Sequence, residues 1–282
     1  MKESIRADGW LLLLTVIWGL SFTLVKTALA DISPILFLAI RFWLGSLLLV
    51  PFLFSGFSKI NTDVLKRGFL LGLFMFLGMT LQTLGLKYTS ASKSGFITGL
   101  AVLIVPVLVV IIERKLPKKA SIAGVVLATA GIFLLTHPAN MAFNKGDLYT
   151  VLCAICFAFQ IIFVEILVRK GEEIILAFFM LLVTALLASC SVFVFREYQI
   201  SLTANMVFSL ICVSLLSTAL GFWMQIHWQP KTSATAAAVI YTMEPVFALI
   251  FAVLLLGEGI TRTGLLGGGF IICGMMVAEL RK

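Results

Sequence analysis

Tyr241, Thr242, Glu244 and Pro245 stand near the middle of one apolar run, Thr232 to Glu258. A carboxylate in that position can carry a proton or hold the ammonium group of a substrate. It can also be a structural acid bonded to a neighbouring helix. A charge at the centre of a spanning helix costs about 2.5–3.5 kcal/mol on insertion scales. Pro245 adds a freed backbone carbonyl that something else must satisfy. A helix carrying both is expected to face other helices or a wet cavity rather than lipid. Tyr241 lies three residues before Glu244, on the same helix face. Glu244 is about twelve residues from the start of the run, roughly 18 Å at the helical rise and so near mid-membrane.

Two cations lie inside apolar runs as well. Arg41 and Lys26 are each candidates for pairing with Glu244 or for holding an anionic substrate group. A structural pairing for Arg41 and snorkelling of Lys26 to the outer surface are the alternatives. Scattered polar side chains could line a cavity or bond to their own helix: Ser21, Thr23, Gln82, Ser94, Thr98, Gln160, Ser214, Ser217, Thr218, Gln225 and Thr242. Trp18, Phe22, Phe159, Trp223 and Tyr241 could supply apolar or stacking walls. Glu165 and His227 fall toward helix ends, where solvation explains them more simply. Pro106 and Pro245 are the candidates for helix kinks and gates, with static curvature as the alternative; Pro51 lies near a helix end.

Other chemistries are not written in the chain. There is no phosphate-binding loop, no HExxH and no nucleophile–base grouping in a connecting loop, and His137 and His227 stand far apart. No catalytic residue is expected. The five cysteines all lie in apolar runs, and the Cys153–Cys156 pair has no second pair or histidine nearby. No metal and no cofactor is therefore expected. Without an ATP motif, energy would come from an ion gradient or from the substrate's own gradient.

The elements that must position these residues are hydrophobic rods. Of 282 residues, 61% are hydrophobic and only 12% charged, half the charged share of a soluble domain. The apolar residues form long runs rather than amphipathic stripes, which indicates an all-α, polytopic membrane protein. Ten transmembrane helices are expected, at about 10–30, 33–55, 66–87, 90–112, 119–136, 147–168, 173–195, 204–228, 232–256 and 261–280. The run after Lys2 and Arg6 is too long, and lacks a small-residue cleavage site, to be a removed signal.

The net charge of +8 is not a nucleic-acid signature here, because the basic residues sit in short connections and set orientation. With the N-terminus inside, the inner segments hold fourteen: Lys2, Arg6, Lys59, Lys66, Arg67, Arg114, Lys115, Lys118, Lys119, Arg169, Lys170, Lys231, Arg281 and Lys282. The outer segments hold five: Lys87, Lys93, Lys145, Arg196 and Arg262. Both termini are expected to be cytoplasmic.

The chain also repeats. Lys87 to Ser92 (KYTSAS) matches Pro230 to Thr235 (PKTSAT) at an offset of 143 residues, which also pairs Gln82 with Gln225, Ile97 with Ile240, Gly124 with Gly267 and Gly131 with Gly274. Asp8 pairs with Asp147 and Val25 with Val164 at an offset of 139. Residues 1–140 and 141–282 are thus expected to be two five-helix repeats. Five being odd, the second enters the membrane from the opposite side, giving inverted repeats with a site between them. Small residues at Ala91, Gly95 and Gly99, and at Ala234, Ala238 and Thr242, predict close packing of the fourth and ninth helices. The Gly264xxxGly268 spacing marks the tenth helix as tightly packed or dimer-forming.

Several of these residues carry a family resemblance. Trp18-Gly19-Leu20-Ser21-Phe22 with Lys26, Arg41-Phe42, and Tyr241-Thr242-Met243-Glu244-Pro245-Val246 running to Leu256-Gly257-Glu258, then Gly267 and Gly274, resemble EamA-type carriers of the drug/metabolite transporter superfamily. The first half departs from the pattern: with Glu113 matched to Glu258, Leu100 stands where Pro245 would fall. The resemblance implies export of small metabolites such as amino acids, their analogues or drugs across the plasma membrane, by alternating access, with proton coupling an option. An importer or facilitator of sugars or other metabolites, or a non-transporting scaffold, are the alternatives. The implied partners are a small-molecule substrate and the lipid bilayer, with the chain a monomer or homodimer and no nucleic acid bound.

Overall fold

The computed structural model describes residues 2–55, 59–89, 91–114, 116, 118–136, 144–256 and 262–279. Ser90, Lys115, His137, Gly257, Glu258, Arg281 and Lys282, used above, lie outside the described residues. Helices account for nearly all of the rest, and an isolated bridge between Ile32 and Ile200 is the one strand-like pairing among the described residues.

The helices are α1 (Lys2–Ala28), α2 (Pro34–Leu49), α3 (Thr62–Tyr88), α4 (Ala91–Gly99), α5 (Ala101–Glu113), α6 (Lys119–Thr136), α7 (Lys145–Leu167), α8 (Glu173–Phe195), α9 (Ala204–Cys212), α10 (Gly221–Trp228), α11 (Ala234–Tyr241), α12 (Met243–Leu256) and α13 (Arg262–Glu279). A π-helical stretch, Val213–Leu220, fuses α9 to α10 into one rod. By length and composition, seven rods can cross a membrane: Glu3–Ala28, Pro34–Leu53, Thr62–Tyr88, Lys145–Leu167, Glu173–Phe195, Ala204–Lys231 and Ala234–Leu255. The other three expected spans are shorter apolar helices, at Ile97–Ile112, Lys119–Leu134 and Arg262–Val277.

Local chemistry sets several starts. Pro34 opens α2, where its missing N–H loses nothing. Asn61, Thr203 and Ser233 accept hydrogen bonds from the first turns of α3, α9 and α11. Asn144 and Asp147 form a capping box at the start of α7. These caps satisfy amides that would otherwise be unpaired at the membrane boundary.

Two rods are broken near their middle. α4 gives way to α5 at Leu100, and α11 to α12 at Thr242. At both breaks the bonding tightens to three residues: the Leu100 amide donates to the Ile97 carbonyl, and the Thr242 amide to Val239. Gly99, last in α4, and Thr242 are separated by the 143-residue offset of the sequence repeat. Pro245 lies just beyond the second break, whereas Pro106 sits inside continuous α5, six residues past the first.

Glycines let backbones touch. A methyl at Gly19 of α1 would lie 2.6 Å from the Phe247 side chain and 2.8 Å from the Ala248 amide of α12. α6 and α13 approach through Gly131 and Gly274, and α3 meets α7 and α8 through Gly68, Gly72, Gly78 and Gly85. Gly95 and Gly99 of α4 face Pro245 of α12, so the small-residue stripe lies against the second broken rod. With no hydrophobic drive between helices in lipid, this close fit supplies the packing energy. Leu215, Leu216, Phe193 and Leu254 are among the many large apolar side chains left on the outside, as a lipid-facing surface requires.

Candidate functional site

A cavity opens between the two broken rods, α1, α2, α3, α7 and the π-helical rod. Its wall brings together many of the residues singled out above: Trp18, Ser21, Arg41, Gln82, Gly95, Thr98, Gly99, Gln160, Ser217, Gln225, Tyr241, Thr242, Glu244 and Pro245. It adds Met75, Met79, Phe157 and Phe222. The wall is mostly apolar with a few polar groups placed on it, the pattern of a small-molecule site.

Both breaks open onto this cavity. Gly99 and Thr242 each line it, so the backbone interruptions sit where a ligand would be held. Discontinuous helices in corresponding halves of a transporter mark its binding site. Glu244, in the first turn of α12, is half-buried. Its carboxylate makes no hydrogen bond or ion pair with any described residue.

Arg41 lies on the same cavity but does not pair with Glu244. It is only 3% exposed. Its Nε donates to Thr218 Oγ1 at 2.6 Å and its Nη2 to Ser217 Oγ at 3.1 Å. The guanidinium also stands 5.4 Å from the centre of the Phe42 ring. Hydroxyls, not a carboxylate, hold this cation in place, so its charge is not neutralised by any described neighbour.

On another wall, buried amides form a closed chain. Gln160 and Gln225 exchange side-chain bonds of 3.2 and 3.0 Å. Gln225 also donates to Gln229, and Gln229 donates to the Ile161 carbonyl. Tyr241 donates its hydroxyl to Gln229 Oε1 at 3.0 Å. Trp18 packs on Tyr241 and Phe222, with ring centres 5.3 and 5.6 Å away, and donates its indole N–H to the Ser217 carbonyl at 3.2 Å. Gln82 donates to Thr98 at 3.4 Å.

Ser94, Pro106 and Lys26 lie off the cavity wall, as do Phe22, Thr23, Phe159, Ser214, Thr218 and Trp223. Ser94 is fully buried, and its hydroxyl has no partner among the described residues. Pro106 is within α5. Lys26, near the end of α1, donates to the carbonyls of Leu86 and Thr89 at 2.5 and 3.0 Å, where α3 ends. A cation at a helix C-terminus satisfies carbonyls and complements the helix dipole.

The 139-residue offset carries Lys26, near the end of α1, to Glu165, near the end of α7. Glu165 accepts from the Ala234 amide at 2.6 Å, at the N-terminus of α11. An acid at a helix N-terminus mirrors the base at a helix C-terminus. Each clamp ties the far end of α1 or α7 to the connection leading into a broken rod. Thr89 extends the first clamp by donating to Asp147 at the start of α7. The two clamps therefore lie at opposite ends of α7. His227, expected to be solvated, is half-buried: it stacks on Trp223, meets Trp228 edge-on, and lies 3.0 Å from Lys231 Nζ.

Sequence reasoning did not single out Gln229 or the π-helical stretch. Gln229 is fully buried but sits beside Pro230 and Lys231, where a connection was expected. The π stretch carries no proline or paired glycine to mark it.

Comparison with known proteins adds to this geometry. The EamA-like transporter family matches twice, over residues 5–137 and 144–279. A protein named an uncharacterized transporter from Archaeoglobus fulgidus is 33% identical over 280 residues, covering 99% of this chain and 87% of the relative. An S-adenosylmethionine uptake transporter from Rickettsia felis is 27% identical, covering 96% and 92%. A probable amino-acid metabolite efflux pump from Salmonella typhimurium is 24% identical, covering 96% and 94%. A solved crystal structure shares the fold with a TM-score of 0.80 at 16% identity, over 98% of this chain and 97% of that one. The protein is a multi-pass membrane transporter, and not an enzyme, that belongs to the EamA-like transporter family.

Proposed function

We propose that the chain is a secondary transporter that exports small amino-acid-like metabolites across the plasma membrane by alternating access. The observation that carries this reading is the cavity itself: Arg41 and Glu244 share its wall, and neither is paired with an opposite charge among the described residues. An α-amino acid brings a carboxylate for one and an ammonium for the other, so a zwitterion completes both without adding net charge. The apolar remainder of the wall, with Met75, Met79, Phe157 and Phe222, accommodates a side chain. The named substrates of two relatives, S-adenosylmethionine and amino-acid metabolites, share this amino-acid chemistry.

Access would alternate through two inverted five-helix repeats, residues 1–140 and 141–282, across ten membrane crossings with both termini cytoplasmic. Support comes from the paired breaks at Gly99 and Thr242, from the clamps of Lys26 and Glu165, and from the excess of basic residues on one set of connections. The short rods α6 and α13 would cross beside each other. Glu244 is the proposed coupling residue, taking a proton in exchange for the substrate ammonium.

Proteoliposome counterflow with a panel of amino acids and related metabolites tests the reading. Saturable exchange of at least one zwitterion is expected, and Gly95→Leu, which fills the cavity beside Pro245, should abolish it while membrane insertion persists. Exchange unchanged in Gly95→Leu, or none by the native chain for any compound, would contradict it. The uptake name of the rickettsial relative favours import as the second reading. Net flux under an imposed proton gradient, measured in both orientations, separates the two.

A further inference from the structure

We propose that Arg41 and Ser217 form a carboxylate-binding subsite in the cavity, and that the π-helical stretch Val213–Leu220 is the element that builds it. The proposal rests on the transport reading above and assigns which part of the substrate is read, and by what.

The donors can be accounted for one by one. A guanidinium has five N–H groups. Nε of Arg41 is engaged by Thr218, and one N–H of Nη2 by Ser217. Nη1 bonds to no described group. Thr218 is fully used: its hydroxyl accepts from Arg41 and donates to the Val213 carbonyl at 3.0 Å. Ser217 is not: its hydroxyl accepts from Arg41, and its own O–H has no acceptor among the described residues. Arg41 and Ser217 line the cavity, and Thr218 does not. Thr218 is thus a strut, while Nη1 of Arg41 and the Ser217 hydroxyl are donors held open to the cavity.

Two or more donors around one fixed positive charge suit a carboxylate, which offers two acceptor oxygens and a single negative charge. A phosphate would bring more negative charge than one arginine balances, and the surplus would be left in a low-dielectric site.

The π geometry makes the arrangement possible. The Val213 carbonyl that Thr218 reaches lies five residues back, and the Gly221 amide is shared between the carbonyls of Leu216, again five back, and Thr218. A turn closed this way holds about one residue more than an α turn. Ser214, Ser217 and Thr218 are all buried, while Leu215, Leu216 and Leu220 face outward. Closed as an α turn instead, the same residues would be spaced by about 100° steps, and Ser217 and Thr218 would not present their hydroxyls to Arg41 in this arrangement. Two contacts pin the stretch from outside. Trp18 donates to the Ser217 carbonyl, and Gly45 of α2 leaves room for Thr218, whose methyl would lie 2.7 Å from an added Cβ. Gly45 is four residues from Arg41, on the same face of α2.

The test is equilibrium binding to the purified full chain, with the twenty proteinogenic L-amino acids and their α-amides as probes. Amide and acid differ in the carboxylate and share the amine and side chain. The native chain should bind at least one acid ten or more times more tightly than its amide. Ser217→Ala should shrink that ratio to threefold or less by weakening the acid alone. Ser217→Thr should restore most of it, and Thr218→Val, which removes the strut to Val213, should shrink the ratio as Ser217→Ala does. Equal binding of acid and amide by the native chain, or an unchanged ratio in Ser217→Ala, overturns the proposal. If counterflow shows transport only of compounds without a carboxylate, the subsite is wrong and the transport reading stands. If nothing is transported, both fall.

Discussion

Gly131 of α6 and Gly274 of α13 meet each other's helix in the same way. A methyl at Gly131 would lie 2.6 Å from both the Gly267 carbonyl and the Ile271 amide. A methyl at Gly274 would lie 2.7 Å from the Gly124 carbonyl and 2.8 Å from the Ala128 amide. The 143-residue offset carries Gly124, Ala128 and Gly131 onto Gly267, Ile271 and Gly274. The contact is therefore self-reciprocal, as across a two-fold axis. Alanine ordinarily favours a helix over glycine by about 0.8–1 kcal/mol. Here the backbone blocks it, and Gly131→Ala or Gly274→Ala should destabilise the fold by about 1–3 kcal/mol. Gly269→Ala, with nothing within 4 Å, is the control and should not lower stability. Thermal unfolding in detergent reads the difference; equal behaviour of all three variants would remove the close contact.

Glu244 bears on coupling. Glu244→Gln keeps the size and removes the charge. If the carboxyl exchanges a proton for the substrate ammonium, gradient-driven transport should fall at least tenfold and lose its pH dependence, while counterflow is better preserved. The pH profile of uptake in matched proteoliposomes checks this. Normal pH dependence in the glutamine variant rules Glu244 out as the proton carrier.

The amide chain predicts an asymmetry between neighbours. Gln229→Leu leaves the Tyr241 hydroxyl and one Gln225 N–H without partners. Each unsatisfied buried group costs about 1–3 kcal/mol. Tyr241→Phe removes one hydroxyl and should cost about 0.5–1.5 kcal/mol. Unfolding midpoints should rank native above Tyr241→Phe above Gln229→Leu, and a reversed order of the two variants would show that the chain is not what holds α10 to α7.

The clamps of Lys26 and Glu165 should act on opposite faces of the membrane. A hydrogen bond to a charged group contributes about 1.5–3 kcal/mol, enough to shift a two-state balance about tenfold or more. With cysteine placed at Gln82 on the cavity wall, Lys26→Met should speed labelling from the face that carries the α3–α4 connection. Glu165→Gln should speed it from the other face. Acceleration from the same face by both variants would break the proposed symmetry.

Much of this was legible in the residues, and the exceptions have physical causes. Apolar runs give rods because lipid leaves the backbone no other partner, so the rods fall close to the expected positions. Glu244 and Arg41 stood out because charge inside such a run is costly, and both line the cavity. The break at Leu100 was not legible: no proline stands at Gly99 or Leu100, and Pro106, a kink candidate, sits within α5. The π-helical stretch was hidden because serine, threonine and leucine fit an α-helix equally well, and the bonds of Ser217 and Thr218 to Arg41 come from residues more than 170 positions away. Lys26 was read for its charge, whereas its place is fixed by two backbone carbonyls that no sequence pattern displays.

The most direct test of a cavity that opens to alternate sides is accessibility of Thr98, on its wall. In a chain with Cys153, Cys156, Cys190, Cys212 and Cys273 replaced by serine or alanine, Thr98→Cys would be exposed to a membrane-impermeant thiol reagent from each side in turn. The account predicts reaction from both faces, with substrate changing the balance between them. Reaction from one face alone, under every substrate and gradient condition, would contradict it.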